Sequence, residues 1–235
     1  MRLNQYIESS GMCSRREADE LIASGKVMVN GKKAVLGQQV AEGDEVTAYG
    51  KPIRPDTERI CILVNKPAGI TSTTDKSDKS NIIDYVNHKK RLFTVGRLDK
   101  DSTGAILLTN DGTIVNKLLR SENEHNKTYL VEVNKPLTPD FLAKMRAGVK
   151  IFNPESGGMV TTKPCKTRQI KKYLFEIVLT QGYNRQIRRM CETLDYKVIS
   201  LHRIKFLFLS VSNLQVGRFR NLTKQEMAKL DETVK

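Results

Sequence analysis

The stretch Gly96–Thr109, GRLDKDSTGAILLT, places one acid between cations and shortly before a run of apolar residues. Gly96 and Gly104 allow tight backbone turns on both sides of Asp99. The run Ala105–Thr109 predicts a short buried strand, which the turn sequence Asn-Asp-Gly then ends. Asp99 is therefore predicted to lie in a loop that leads into a core strand. The alternative for this acid is a plain turn or helix cap, in which its carboxylate accepts backbone N–H groups.

Charge and composition predict a folded, basic protein. The chain has 235 residues and a formal net charge of +14, and 39% of its residues are hydrophobic. This length allows one large domain or two smaller ones. Residues 161–220 contain 13 Lys and Arg against 3 Asp and Glu, a net charge of +10. Such a concentration of positive charge favours binding to a phosphate backbone and leaves RNA and DNA both open.

Other features argue against metal and membrane proteins. The cysteines at positions 13, 61, 165 and 191 lack the close spacing of a zinc site, so we expect four reduced thiols and no metal. The longest apolar runs are too short to span a bilayer. The N-terminus has no cationic segment followed by an apolar run, so we expect no signal peptide and a cytoplasmic location.

The first fifty residues predict a small unit of helices and a short hairpin. Ser14 and Glu17 have the spacing of a capping box, and Gly25 is a candidate helix end. Asn30-Gly31 lies between the strand-like runs of Lys26–Val35 and suits a type I′ turn. We expect this unit to cover residues 1–49, a proline-containing linker residues 50–58, and a second domain residues 59–235.

The second domain predicts an irregular mixture of strands and helices. Lys127–Val133 alternates like a half-buried strand, and Tyr173–Thr180 predicts another strand. A helix is predicted from Thr138-Pro139 to Gly148. A second helix is predicted from Asn184, as its cap, to about Leu194. Since the strands and helices do not repeat as βαβ units, the expected fold class is α+β, with a mixed and mainly antiparallel sheet in the second domain.

The N-terminal motifs resemble a known RNA-binding unit. They are Arg2-Leu-Asn, Ser14-Arg15-Arg16-Glu-Ala18 and Gly25-Lys-Val-x-Val-Asn-Gly31. These residues are similar to the small module first described in ribosomal small-subunit protein S4. The resemblance implies that Arg15, Arg16 and Lys26 contact phosphate groups. Without it, the same charges would indicate an ordinary solvated helix face.

The second domain carries further motifs in a fixed order. They are Asn65-Lys66-Pro67-x-Gly69, Gly96-Arg97-Leu98-Asp99-x-Asp101-x-x-Gly104, Leu107-Leu-Thr-Asn-Asp-Gly112, Lys127-x-Tyr129-Leu-Val, Gln181-Gly-x-Asn184-Arg185-Gln186-Ile187-Arg188-Arg189-Met190 and Leu201-x-Arg203. Together they resemble the ribosomal-RNA pseudouridine synthases of the small-subunit-A and large-subunit-B/E/F family. The segment Asp84–Arg91 and the motif that follows it are most similar to the F type.

This resemblance implies a catalytic mechanism. Pseudouridine formation moves the uracil ring from N1 to C5 attachment without a redox change or a group donor, so no cofactor is expected. The resemblance makes Asp99 the nucleophile, with attack on the sugar and attack on the base both open. Arg188 matches the arginine that pairs with this acid. Tyr129 matches the tyrosine beside the target base, where it would stack and assist proton removal. Asp101 could be the second acid of a carboxylate pair, as in glycosidases, but we assign it to the turn.

The resemblance implies isomerisation of specific uridines in structured RNA, with large-subunit (23S) ribosomal RNA as the expected substrate and a transfer RNA as a second candidate. The target base would have to be extruded from its stem, and Lys66, Arg97, Arg185 and Arg189 are the candidates for holding the RNA backbone. We expect a monomer. Three other classes remain as alternatives: a non-catalytic RNA-binding protein, a DNA-binding regulator and a glycosidase.

Overall fold

A computed structural model describes residues 1–119 and 125–234 of the chain. The N-terminal module consists of two helices and a small sheet. Its elements are α1 (Leu3–Ser9), α2 (Arg15–Ala23), β1 (Val27–Val29), β2 (Lys32–Lys33), β3 (Val46–Ala48) and β4 (Lys51–Pro52). The strands pair in the order β2-β1-β3-β4, all antiparallel.

Local signals place these first elements. The Ser14 side chain accepts from the Glu17 backbone while the Glu17 carboxylate accepts from the Ser14 backbone, so the predicted capping box is confirmed. Asn30 and Gly31 have φ angles of 51° and 73°, as the predicted hairpin turn requires. Ile53 is buried in the core of the module, and β4 pairs with β3, so this unit extends four residues beyond the predicted limit of 49.

The larger part of the chain forms the remaining helices and strands. They are β5 (Cys61–Lys66), α3 (Ile82–Val86), β6 (Phe93–Val95), β7 (Thr103–Thr109), α4 (Gly112–Leu119), β8 (Lys127–Val133), α5 (Pro139–Ala147), β9 (Lys150–Asn153), β10 (Gly158–Thr161), β11 (Lys166–Lys171), β12 (Leu174–Leu179), α6 (Gln186–Thr193), β13 (Val198–Phe206), β14 (Leu209–Ser210), β15 (Phe219–Asn221) and α7 (Lys224–Thr233). No helix in the described ranges has the length and apolarity needed to cross a membrane. The predicted end of this domain, residue 235, lies outside the described residues.

One large sheet organises this part of the chain. Its strands follow the order β11-β12-β8-β13-β7-β5-β15, with β6 paired to β7 and β14 paired to β13. Only the β13–β7 pair is parallel among the described strands. The predicted α+β class with a mixed, mainly antiparallel sheet is therefore confirmed.

Both faces of the sheet are covered, because side chains alternate along each strand. Ile62 and Val64 of β5 face a core that includes α3, α5 and α6. Cys61 and Leu63 face the opposite core, which includes α4 and α7. The central strands β5 and β7 are consequently almost completely buried. We call the side that carries α6 the α6 face.

Two local features differ from the sequence analysis. The strand β7 ends at Thr109, before Asn-Asp-Gly as predicted, but the helix α4 that begins at Gly112 was not predicted, and it packs Ile114 and Leu118 against the sheet. We also expected Asn184 to cap α6. In the structure Arg185 occupies the cap position with a φ of 52°, and the Asn184 side chain accepts a hydrogen bond from Arg189 instead.

Candidate active site

A row of residues in register crosses the middle of the sheet. Lys66 of β5 is paired with Gly104 of β7, Gly104 with Arg203 of β13, and Arg203 with Tyr129 of β8. Neighbouring strands lie about 4.8 Å apart, so the row spans four strands over about 15 Å. Tyr129 belongs to the core on the α6 face. The row therefore forms the floor beneath α6 and the loop that precedes β7.

At Gly104 the backbones of β7 and β13 lie in close contact. A Cβ added to this residue would lie 2.3 Å from the carbonyl oxygen of Arg203, and the φ of Gly104 is 114°. A side chain is therefore excluded both by space and by backbone conformation. The residues immediately before Gly104 carry the candidate acid, so this contact fixes where their loop meets the sheet.

The loop of residues 98–102, called here the acid loop, is hydrogen-bonded to the segment that follows β5. The Ser72 hydroxyl donates to the Leu98 carbonyl and accepts from the Leu98 N–H, at 2.9 and 3.1 Å. The N–H of Gly69 donates to the Lys100 carbonyl at 2.8 Å. Ser72 is almost completely buried. The segment that follows β5 thus fixes the backbone on both sides of Asp99, which is the kind of support that a precise site requires.

Arg188 of α6 reaches the acid loop from the other side. Its Nη2 lies 3.0 Å from a carboxylate oxygen of Asp101 and donates to the Ser102 hydroxyl at 3.4 Å. Its Nε lies 3.9 Å from a carboxylate oxygen of Asp99 and has no hydrogen-bond partner among the described residues. The Arg188 side chain is only 9% exposed, whereas that of Asp99 is 28% exposed. The buried Arg188 guanidinium therefore lies next to the solvent-accessible carboxylate of Asp99.

Arg185 contributes a second cation to the same acids. Its Nη1 lies 3.8 Å from Asp99 and 3.6 Å from Asp101. The left-handed backbone of Arg185 at the start of α6 costs about 1 kcal/mol for a residue with a side chain. The structure thus brings together Asp99, Arg188 and Arg185 from the predicted site.

Asp101 was not expected to belong to this group. It lies in the turn, as predicted, but it also makes the shortest ion pair with Arg188, although its own side chain is 52% exposed. This second role was not predicted. The sequence spacing of two residues from Asp99 gave no sign of this role, because it depends on a helix more than eighty residues further along the chain.

Lys66 does not lie where phosphate could reach it. The residue is completely buried, and its Nζ donates to the carbonyls of Pro67, Ile70 and Lys100 at 2.9, 2.8 and 3.4 Å. Burial lowers the pKa of Lys66 from 10.5 to about 8, although the nearby acids Asp101 and Asp99 oppose this change. The predicted role in RNA binding is therefore wrong, and Lys66 instead ties the acid loop to β5.

Tyr129 and Arg203 lie side by side in the floor of the site. Tyr129 is 9% exposed and belongs to the core on the α6 face. The guanidinium of Arg203 lies 6.0 Å from the centre of the Tyr129 ring, and its Nε donates to the Ala105 carbonyl. The Nη2 of Arg203 is buried without a partner in the part of the chain that the structure describes. Arg203 was noted only as part of a motif, and its burial could not be read from the sequence.

The remaining predicted RNA-binding residues differ in their surroundings. Arg97 is exposed at the edge of the acid loop. Arg189 is occupied within the protein, since its Nη1 donates to the Phe152 carbonyl and its Nη2 to Asn184. In the N-terminal module, Arg16 and Lys26 are exposed, and Arg15 pairs with Glu8 at 2.5 Å. These three lie outside the group around Asp99.

Comparison with known proteins identifies the protein family that has this fold and site. The sequence profile of the S4 domain matches residues 1–46. A second profile, described as RNA pseudouridylate synthase, matches residues 60–193, more than half of the chain. The two matches define an isomerase that binds RNA. The chain belongs to the RNA pseudouridylate synthase family, as its motifs predicted.

Individual relatives support this assignment over nearly the whole chain. A Salmonella typhi protein named dual-specificity RNA pseudouridine synthase RluF is 48% identical over 97% of this chain and 78% of its own length. A Bacillus subtilis protein named ribosomal large subunit pseudouridine synthase B is 36% identical over 97% of this chain and 95% of its own. A crystal structure of a pseudouridylate synthase superimposes with a TM-score of 0.71 at 28% identity, covering 98% of this chain and 99% of the other. The predicted similarity to the F type is therefore confirmed.

Proposed function

We propose that this protein converts specific uridines of large-subunit ribosomal RNA to pseudouridine, and that a transfer RNA is a second candidate substrate. One relative is named a large-subunit enzyme, which supports the ribosomal substrate, and another is named a dual-specificity enzyme, which supports a second RNA substrate. One observation of the structure carries the catalytic part of the proposal. A solvent-accessible carboxylate, Asp99, lies where two arginines converge, in a loop that is fixed on both sides.

Asp99 is the nucleophile in this proposal. The reaction breaks the N1–C1′ bond of uridine and joins C5 to C1′, while C5 loses a proton and N1 gains one, so that the product is an isomer. A covalent bond between the Asp99 carboxylate and the nucleotide would divide this exchange into easier steps. The bond removes the negative charge of Asp99. Arg188 then still has Asp101 as a counter-ion at 3.0 Å, so its buried guanidinium is never left unpaired.

The target uracil is extruded from its stem in this mechanism. Asp99 projects from a fixed loop above the sheet and could not reach the sugar or base edge of a stacked, paired uridine. Extrusion costs a few kcal/mol, which a few contacts between cationic side chains and phosphate groups can offset. Arg97 and Arg185 are exposed cations near Asp99, and they would hold the backbone. Tyr129 would stack on the extruded ring, and its hydroxyl would assist removal of the proton from C5.

The N-terminal module supplies the second point of attachment in the proposal. Arg16 and Lys26 present exposed charges, and Arg15 shares its charge with Glu8. Since the module has a net charge close to zero over residues 1–50, its contribution depends on these local cations. We further propose that the protein acts as a monomer and that residues after Ile53 connect the module to the catalytic domain.

The test is direct mapping of the product. Unmodified transcripts of ribosomal and transfer RNA are incubated with wild-type protein, with Asp99→Asn and with Asp195→Asn. Asp195 is an exposed acid with a φ of 62°, a conformation that asparagine tolerates, so it controls for the loss of one charge. We expect new pseudouridine by mass spectrometry with wild type and Asp195→Asn and none with Asp99→Asn, which should still bind RNA. Full activity of Asp99→Asn would overturn the nucleophile assignment, and an inactive wild type would overturn the proposed reaction.

A further inference from the structure

The β9–β10 hairpin presents two large apolar side chains to solvent. Along β9 the side chains alternate, with Ile151 and Asn153 buried and Phe152 exposed. Phe152 is paired in register with Met159 of β10, and the two are 51% and 55% exposed. Paired residues of an antiparallel ladder lie on the same face. They therefore form one continuous apolar patch on the outer face of the hairpin, next to the exposed Lys150.

The hairpin is attached to the helix that carries the catalytic arginines. Arg189 of α6 donates from Nη1 to the Phe152 carbonyl at 3.0 Å and from Nη2 to Asn184 at 3.1 Å. The preceding residue, Arg188, binds the acid loop. The helix α6 thus binds the hairpin through Arg189 and the acid loop through Arg188. The patch is therefore linked to the acid loop through two consecutive residues of α6.

The base of the hairpin is fixed as well. A Cβ on Gly148 would lie 2.3 Å from the Thr162 carbonyl, and the Thr162 side chain accepts from the Val149 N–H. Gly148 and Thr162 flank the two strands on either side. The exposed patch is therefore presented on a supported element rather than on a loose loop, and its position relative to α6 is set.

The charge around this patch indicates what would cover it. The segment 161–220, which includes α6, has 13 Lys and Arg against 3 Asp and Glu. Lys150 lies on the patch itself, and Arg185 is exposed on the same helix that binds the hairpin. An aromatic ring among cations is the usual platform for an unpaired nucleobase, with phosphate bound by the cations and the base stacked on the ring.

We propose that the outer face of the β9–β10 hairpin is a base-stacking subsite for the RNA substrate. Phe152 stacks on an unpaired base close to the target nucleotide, Met159 closes one side of the stack, and Lys150 contacts the adjoining phosphate. This inference rests on the proposed function, because it places the subsite relative to the reacting uridine. It adds a contact that would position the single-stranded part of the substrate after extrusion.

The first test compares binding with chemistry. Stacking on one aromatic residue changes affinity on the order of tenfold, so Phe152→Ala should weaken binding of a ribosomal RNA transcript about tenfold. Its single-turnover rate at saturating protein should stay within about twofold of wild type, because no reacting atom contacts Phe152. Phe152→Tyr should restore the affinity. Phe219→Ala is the matched control, since Phe219 is 44% exposed on β15, an edge strand of the large sheet to which the hairpin does not belong.

The result that overturns the subsite is equal binding by Phe152→Ala and Phe219→Ala. A second measurement does not depend on loss of affinity. A photoreactive benzoylphenylalanine at position 152 should crosslink to the RNA, whereas the same group at position 219 should not. Absence of the crosslink at 152, or crosslinking to protein alone, would count against the subsite. Pseudouridine formation by the wild type is recorded separately, so failure of the proposed reaction is distinguishable from failure of the subsite.

Discussion

Lys66 provides a prediction whose size follows from the structure. Its ammonium is completely buried beneath the acid loop and its pKa falls from 10.5 to about 8 because of burial. At about 1.36 kcal/mol per pKa unit, keeping this lysine charged in the folded protein costs about 3 kcal/mol. The unfolded chain holds the proton up to about pH 10.5, whereas the folded protein releases it above about pH 8. Stability should therefore rise with pH in this window, and the full cost should be present below it.

The measurement is the free energy of unfolding in urea, for wild type and for Lys66→Met, between pH 7.5 and pH 10. The difference between them should shift by about 2 kcal/mol in favour of the wild type over that range. Lys127, whose burial also lowers its pKa to about 8, is present in both proteins, so its contribution cancels. Lys51→Met, at an exposed lysine, is the control and should show no such shift.

A difference between wild type and Lys66→Met that stays constant within about 0.5 kcal/mol across the range would refute this reasoning. It would mean that Lys66 titrates in the folded protein as it does in water. The buried position beneath the acid loop, and with it the support of Asp99, would then be wrong.

Other predictions concern the sheet, the C-terminal helix and the acid loop. Gly104→Ala should lower the free energy of unfolding by at least about 3 kcal/mol, because the added methyl group meets the Arg203 backbone. Gly43→Ala is the control and should lower it by about 1 kcal/mol, because the space around Gly43 is open. Thermal melts of both variants measure the difference. A hydrogen bond from Arg220 lowers the pKa of Glu226 to about 2, so Glu226→Gln should cost about 2 kcal/mol at pH 7, a difference that disappears as the pH falls from about 4.5 to 2. Arg97→Ala should weaken RNA turnover, with a flatter salt dependence of binding, while the melting temperature stays the same; unchanged turnover would reject its role.

Sequence signals located most elements whose cause is local. The capping box at Ser14, the Asn30-Gly31 turn and the Thr138 cap before Pro139 each fix a backbone conformation with neighbouring residues alone. The start of α6 was misplaced for the opposite reason. Asparagine is a common helix cap, but the side-chain oxygen of Asn184 accepts a hydrogen bond from Arg189 instead. Arg189 also donates to the Phe152 carbonyl, in a hairpin some thirty residues earlier in the chain.

The site was predictable in part. The motifs indicated Asp99, Arg185 and Arg188, and the structure brings the three together, although their catalytic and binding roles stay predictions. Lys66 was misjudged, because nothing in a single lysine shows that its strand is covered on both faces of a sheet. The ion pair of Asp101 with Arg188 was not predicted, because it forms only when the distant helix α6 packs against the acid loop.

The central claim is that the charged oxygen of Asp99 performs the chemistry beside Arg188. The most direct test is the single-turnover rate of pseudouridine formation at saturating protein for wild type and Asp99→Asn, with RNA affinity measured on the same samples. The account predicts a rate lowered by at least about a thousandfold at an affinity within about threefold of wild type. An Asp99→Asn rate within about tenfold of wild type at equal affinity would contradict it.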